Sequence, residues 1–157
     1  MVQHFRVNVD SPVGVWGVEG TSSVITRIYM PSEFAPPSRG TTPKPVQNAR
    51  HQLVEYFAQK RKQFHIELEH VPATPFQLEV WEALNDIPYG EVRTYADVAF
   101  AIGRPRAMRA IGNANNVNPW PVIIPCHRVV ARHGIGGYGG GTEVKRFLLG
   151  LEGVNYD

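Results

Sequence analysis

Thr94-Tyr95-Ala96-Asp97-Val98-Ala99-Phe100-Ala101-Ile102-Gly103-Arg104-Pro105 carries a helix start, a helix stop and a second helix start in one short stretch. Thr94 is placed to cap a helix running through Ile102, and Gly103 ends it because glycine takes the left-handed conformation without a Cβ penalty. Pro105 then opens a second helix that runs to about Asn116. Two short helices joined by a tight turn at Gly103-Arg104 have the spacing of a helix-turn-helix, whose second helix enters a groove of DNA. An αα-hairpin that only packs a core has the same spacing. The second helix favours DNA contact: Arg104, Arg106 and Arg109 cluster at its start and first turns, while Ala110, Gly112 and Ala114 keep part of its surface slim.

Charge distribution points the same way. The net charge is only +2, yet from Val98 to Thr142 there is no Asp or Glu, while Arg104, Arg106, Arg109, Arg128 and Arg132 fall inside that stretch. A surface that approaches a polyanion needs this local imbalance. A solvated basic face is the alternative.

On the N-terminal side, Thr74-Pro75-Phe76-Gln77 combines an N-cap threonine, a first-turn proline and a glutamine three residues after the cap. It predicts a helix with Phe76, Val80, Leu84 and Ile87 on one face, closed by the turn Pro88-Tyr89-Gly90. Further back, Phe5-Arg6-Val7-Asn8-Val9, Val13-Gly14-Val15-Trp16 and Val24 to Met30 read as three strands of a small antiparallel sheet. Pro31 to Pro45 holds five prolines and reads as loop. Helical spacing of Ala49, Leu53, Val54 and Phe57 predicts a helix over Val46 to Lys60, and Phe64 to Leu68 returns to strand alternation. The chain thus divides into a sheet with a packed helix over residues 1–72 and a mainly helical unit over 73–157.

On the C-terminal side, Asn118-Pro119-Trp120-Pro121-Val122-Ile123-Ile124-Pro125-Cys126-His127-Arg128-Val129-Val130 holds the only cysteine. Pro121 and Pro125 bracket an apolar run that reads as extended. A thiol is strongly nucleophilic only as thiolate, and an adjacent histidine with a downstream carboxylate is one way to remove its proton. His127 is that histidine, and Glu152 is the carboxylate to pair with it. A buried, inert cysteine and an exposed terminal acid are the alternatives. Arg128 to Ala131 reads as a short strand, and a last helix over Glu143 to Leu149 is capped by Thr142. Between them Gly134, Gly136 and Gly139 satisfy a G-x-G-x-x-G pattern, but no βαβ unit surrounds it, so a dinucleotide site is rejected. A glycine-rich loop with one tyrosine can instead drape around a flat group.

Composition adds bounds. At 157 residues, 43% hydrophobic and 19% charged, the chain reads as an ordinary soluble globular protein. One cysteine forbids an internal disulfide and a cysteine-rich zinc module, so no metal is expected and a reducing, cytoplasmic setting is the simpler one. No signal peptide or membrane-spanning run is read.

With Pro125-Cys126-His127-Arg128-Val129-Val130, the preceding Asn118-Pro119 and the Gly-Gly-Tyr loop in place, the sequence closely resembles the O6-alkylguanine-DNA alkyltransferases, also called methylated-DNA-protein-cysteine methyltransferases. The resemblance is close from about Phe76 to Gly153 and loose before it. It implies an α+β fold: a ribonuclease H-like N-terminal domain, then a winged helix-turn-helix-type domain. It also implies a monomer that acts on double-stranded DNA containing O6-alkylguanine without a cofactor, nuclear if the source is a eukaryote. Cys126 would accept the alkyl group, and His127 would take its proton through a water. Glu152 would orient His127, Asn118 would hold the cysteine-bearing turn, and Tyr95 would help rotate the nucleotide out and protonate the leaving guanine. Arg109 would fill the vacated space. The resemblance sets Thr94, Arg104, Arg106, Ala110, Gly112, Asn115 and Arg128 on the DNA-facing surface with it. Val129, Ile135, Gly136, Tyr138, Gly139 and Lys145 would surround the flipped base.

The chain departs from the family pattern at Gly139, where serine is common, at Asn115, where some relatives have methionine, and in the length of the Cys126–Tyr138 loop. The cysteines that hold zinc in some members are absent. A DNA-binding winged-helix regulator, a non-catalytic alkyl-base sensor and a cysteine hydrolase are the rival readings.

Overall fold

A computed structural model of the chain describes residues 2–156 and divides it into two compact units, Met1–Val71 and Pro72–Asp157. In the first, strands β1 (Phe5–Ser11), β2 (Gly14–Gly20) and β3 (Ile25–Tyr29) form one antiparallel sheet in the order β1-β2-β3. The register sets Val9 opposite Trp16 and Val18 opposite Ile28, and all four side chains are buried. Helix α1 (Lys44–Phe57) covers the sheet with Val46, Ala49, Leu53 and Tyr56. It starts two residues before the expected Val46, because Pro43 takes the N-cap position and Pro45 sits in the first turn, where its missing N–H costs nothing.

The expected strand over Phe64 to Leu68 does not form. The Gln52 side chain occupies the backbone of His65 instead, donating to its carbonyl at 3.0 Å and accepting its N–H at 2.9 Å. Only one parallel bridge, Ile25 to Leu68, joins the segment to the sheet.

The second unit contains α2 (Pro75–Asn85), α3 (Tyr95–Ala101), α4 (Met108–Asn116) and α5 (Thr142–Leu151). Two of the three anticipated threonine caps are present: Thr74 accepts from the Gln77 N–H at 3.1 Å, and Thr94 accepts from the Asp97 N–H at 3.0 Å. Val80, Leu84, Ala99, Ile111 and Leu148 form the apolar centre. Trp81 closes it, its indole donating to the Ala114 carbonyl at 3.1 Å and meeting Trp120 edge-on at 6.1 Å.

Helix α3 stops where expected. Gly103 has φ +73, its N–H bonds Phe100 O, and the next N–H, of Arg104, bonds Ala99 O at 2.8 Å, a Schellman closure. Helix α4 begins later than expected, at Met108 rather than Pro105, because Arg104 O is taken by the Ala107 N–H in a separate turn. Arg104 and Arg106 therefore sit on the connecting turn, and only Arg109 lies in the first turn of α4. Helix α5 also differs: Gly141, at φ +98, is its N-cap, and Thr142 is its first residue.

A two-residue parallel pair decides how the site is assembled. Strands β4 (Arg93–Thr94) and β5 (Val129–Val130) pair Arg93 with Val129 and Thr94 with Val130, which ties the start of α3 to the segment leaving Cys126. The segment entering Cys126 is not extended as expected. Ile124 N–H bonds Trp120 O at 2.9 Å, and Val122 is held at φ +76, a conformation costing a β-branched residue about 1–3 kcal/mol. Among the described residues, no helix is long and apolar enough to cross a membrane.

Candidate active site

The strain at Val122 is held in place by Asn118. Its buried amide donates to Ile124 O at 2.9 Å and accepts the Trp120 N–H at 3.0 Å, so one side chain staples both ends of the turn. Cys126 follows on a 3-10 turn, Cys126–Arg128, with 4% of its surface exposed. Burial pushes the Cys126 thiol up; bonds from Asn118 and Tyr138 and the charge of Lys145 oppose that rise without cancelling it. The resting sulfur is therefore a thiol and needs a base.

His127 is fully buried, and its Nε2 lies 2.7 Å from Glu152 Oε2. Arg128 grips the same carboxylate through Nε to Oε1 at 2.8 Å and Nη2 to Oε2 at 3.0 Å, and the Gly90 N–H adds a bond to Oε1 at 3.3 Å. Burial alone would raise the Glu152 carboxyl, but the bond from His127 and the bonds and charge of Arg128 outweigh it and hold the group well below the usual carboxylate range. Burial lowers His127 against the pull of Glu152, so the ring is neutral. A carboxylate can only accept, so the imidazole proton must sit on Nε2. Nδ1 is left with a lone pair, and this buried atom has no hydrogen-bond partner among the described residues.

One sequence expectation changes here, and one alternative falls away. Arg128 is not a surface residue: it is 7% exposed, and its remaining nitrogen, Nη1, donates to Ile87 O at 2.7 Å. Its planar fork fits a buried carboxylate, which a lysine could not grip at two points. Glu152 is the C-cap of α5 and is 6% exposed, so it is no loose terminal acid.

A second group of residues surrounds the sulfur. The thiol points toward the Tyr138 hydroxyl at 3.9 Å. Fully buried Lys145 donates to Gly137 O at 3.0 Å, and its ammonium lies 5.9 Å from the Tyr95 ring centroid. Burial pushes this lysine down to about 8. Burial, and then the charge of Cys126, raise the Tyr95 phenol, which keeps it a proton carrier at neutral pH. Gly136 threads between them at φ +78; a Cβ there would stand 3.0 Å from Ala131 N and 3.3 Å from the Tyr95 ring. Val129 is buried, Ile135 is half-buried and Gly139 is exposed.

Tyr95 also opens onto a groove of about 960 Å³ with Thr94, Met108, Arg109, Gly112 and Arg132. Of the expected DNA-facing residues, Thr94, Arg109 and Gly112 line it, and Ala110 is exposed on the same helix. Arg104 is exposed but paired to Glu79 at 3.2 Å and packed 5.7 Å over Phe76, so it is less available than its neighbours. Asn115 is half-buried, and its Oδ1 has no partner among the described residues. Sequence reasoning missed the Gly90 N–H, which reaches Glu152 from a distant turn and leaves no local signal. It counted Arg132 only as background charge. No group of three or more His, Cys, Asp or Glu side chains that could hold a metal occurs among the described residues.

Comparison with known proteins identifies the family. Residues 75–154 match the family described as 6-O-methylguanine DNA methyltransferase, DNA binding domain. The constitutive methylated-DNA-protein-cysteine methyltransferase of Bacillus subtilis is 40% identical over 162 residues, covering 98% of each chain. A Mycobacterium bovis methylated-DNA-protein-cysteine methyltransferase is 46% identical over 153 residues, 95% of this chain and 92% of that one. The crystal structure of Mycobacterium tuberculosis O6-methylguanine methyltransferase superposes with a TM-score of 0.82 at 42% identity, covering 96% of this chain and 93% of that one. Another Mycobacterium tuberculosis structure, solved in complex with DNA, gives 0.82 at 45% identity over 94% of this chain and 92% of that one. Similarity along nearly the whole chain, in sequence and in fold, leads to one conclusion: the chain belongs to the methylated-DNA-protein-cysteine methyltransferase family.

Proposed function

We propose that this protein repairs DNA by moving an alkyl group from O6 of guanine onto Cys126. The observation that carries the reading is the unpartnered Nδ1 of a neutral His127 whose other nitrogen is fixed by ionised Glu152. Such an imidazole is a base waiting for a proton. The Cys126 thiol gives its proton toward Nδ1 through a bridging water, Sγ attacks the alkyl carbon, and the carbon–O6 bond breaks. The departing guanine takes a proton from Tyr95, whose raised phenol is protonated until that moment. Thioether formation leaves nothing to regenerate the thiol, so each molecule acts once.

A guanine inside a duplex hides O6 from any protein sulfur, so the nucleotide must leave the stack. The α3–α4 pair serves as a helix-turn-helix that presents Arg109 to the duplex, and the turn after β5 serves as its wing. Val129, Ile135, Gly136, Tyr138, Gly139 and Lys145 enclose the extruded base. With Gly139 in the loop, only a backbone N–H from that position can reach O6. The first unit corresponds to the ribonuclease H-like domain, and the protein works as a cytoplasmic monomer. A regulator or a sensor of the same shape would have no use for the Cys126–His127–Glu152 arrangement.

The test is to mix the protein with a limiting duplex bearing one O6-methylguanine and to digest the DNA to nucleosides. Guanine should be restored one for one with protein, and Cys126→Ala should bind the same duplex and restore none. Lesion left intact by folded wild-type protein would reject the reading.

A further inference from the structure

Two buried side-chain atoms have no hydrogen-bond partner among the described residues, His127 Nδ1 and Asn115 Oδ1. The first is the base of the proposed transfer. The second has no part in that chemistry, although a buried acceptor left unpaired is costly and most such atoms in folded proteins are paired.

The place of Asn115 on α4 decides what it faces. Gly112, Asn115 and Asn118 follow at three-residue intervals, and Asn118 continues the turn past the end of α4 by donating its N–H to Asn115 O at 3.3 Å. Residues spaced this way lie along one side of a helix. At one end of the line stands Tyr95, whose ring would lie 4.0 Å from a Cβ at Gly112. At the other end is the sulfur, because the Asn118 side chain bonds the Cys126 thiol. Asn115 is thus the middle residue between the proton donor and the alkyl acceptor. A purine that meets Cys126 with its O6 substituent and Tyr95 with its ring spans the same two points and passes Asn115.

The base itself then selects the atom. Alkylation at O6 leaves guanine N1 without a hydrogen, and N3 and N7 are acceptors, so the 2-amino group carries the only N–H donors. An amide oxygen can only accept.

We infer that Asn115 is a specificity-determining residue: its Oδ1 accepts a hydrogen bond from the 2-amino group of the extruded O6-alkylguanine. This rests on the alkyl-transfer reading above and adds to it the recognition of the purine. A base lacking that group leaves Oδ1 buried and unpaired in the complex, and a site built around a donor disfavours the analogue without it.

The experiment compares two duplexes, one bearing O6-methylguanine and the other O6-methylhypoxanthine, which differ only in the 2-amino group. Single-turnover transfer rates are measured with wild-type, Asn115→Leu, Asn115→Ala and Asn115→Asp proteins. Wild-type protein should favour the guanine lesion by about tenfold, roughly the worth of one hydrogen bond. That ratio should fall several-fold in Asn115→Leu and Asn115→Ala, whereas Asn115→Asp, which keeps an acceptor in the same place, should retain it. The two lesions also pair differently within the duplex, but that difference is common to all four proteins and cancels when their ratios are compared. An asparagine with a purely structural role would slow both lesions alike. Ratios in folded Asn115→Leu and Asn115→Ala equal to that of wild type, with wild-type protein restoring guanine, overturn this inference alone. Wild-type protein that demethylates neither duplex defeats the underlying reading.

Discussion

Arg128 and Glu152 meet through two parallel bonds of 2.8 and 3.0 Å inside the second unit, with His127 on the same carboxylate at 2.7 Å. Arg128 thereby decides a protonation state it does not itself touch. While its charge holds Glu152 ionised, the imidazole proton stays on Nε2 and Nδ1 stays basic.

Arg128→Ala takes the charged, two-point grip away from the buried Glu152 carboxylate. Breaking a buried pair in this way costs about 3–5 kcal/mol, to be read as a lower urea midpoint at unchanged slope. Arg128→Lys should recover little of it, because an ammonium cannot reproduce the two-point grip.

Stability should fall with acid in two stages. His127 is lowered in the folded state, so its contribution is present above its ordinary value of 6.5 and is lost as pH falls below it toward the folded value. Glu152 is also lowered, so its contribution is present above 4.5 and is lost on further acidification. Urea midpoints measured across this range check both stages, and His127→Gln should remove the upper one. A midpoint that stays flat below 6.5 would contradict the neutral, buried imidazole.

Gly136→Ala combines a positive φ with a Cβ 3.0 Å from Ala131 N and 3.3 Å from the Tyr95 ring. Roughly 1–3 kcal/mol of stability should be lost, and transfer should slow more than duplex binding weakens. Gly137→Ala is the control, since its Cβ meets nothing within 4 Å.

Trp81→Phe keeps most of the buried ring but removes the donor to Ala114 O. About 1–3 kcal/mol should be lost through an unsatisfied carbonyl, with the single-turnover transfer rate unchanged at temperatures where the protein is folded. A large loss of transfer in a fully folded variant would mean that the α2–α4 packing reaches the site.

Local signals were legible in the sequence. Thr74–Gln77 and Thr94–Asp97 are caps that need only near neighbours, and Gly103 stops α3 by its own conformational freedom. The side-by-side placement of Cys126 and His127 is written in the chain, and Glu152 stood out as an acid just past a helix. Relationships set by distant partners were not legible. Arg128 looked like surface charge because its carboxylate lies 24 residues away. Phe64 to Leu68 alternated like a strand, but the Gln52 side chain took both backbone groups of His65. The β4–β5 pair is two residues long on each side, too short for any periodicity to show.

The central claim is that the Cys126 sulfur leaves the reaction as a thioether. Wild-type protein should be reacted with the O6-methylguanine duplex, digested, and the peptide containing Cys126 weighed. Gain of one methyl group on that peptide and on no other is the expected result. An unchanged Cys126 peptide from protein that has restored the guanine would place the methyl elsewhere and contradict the account.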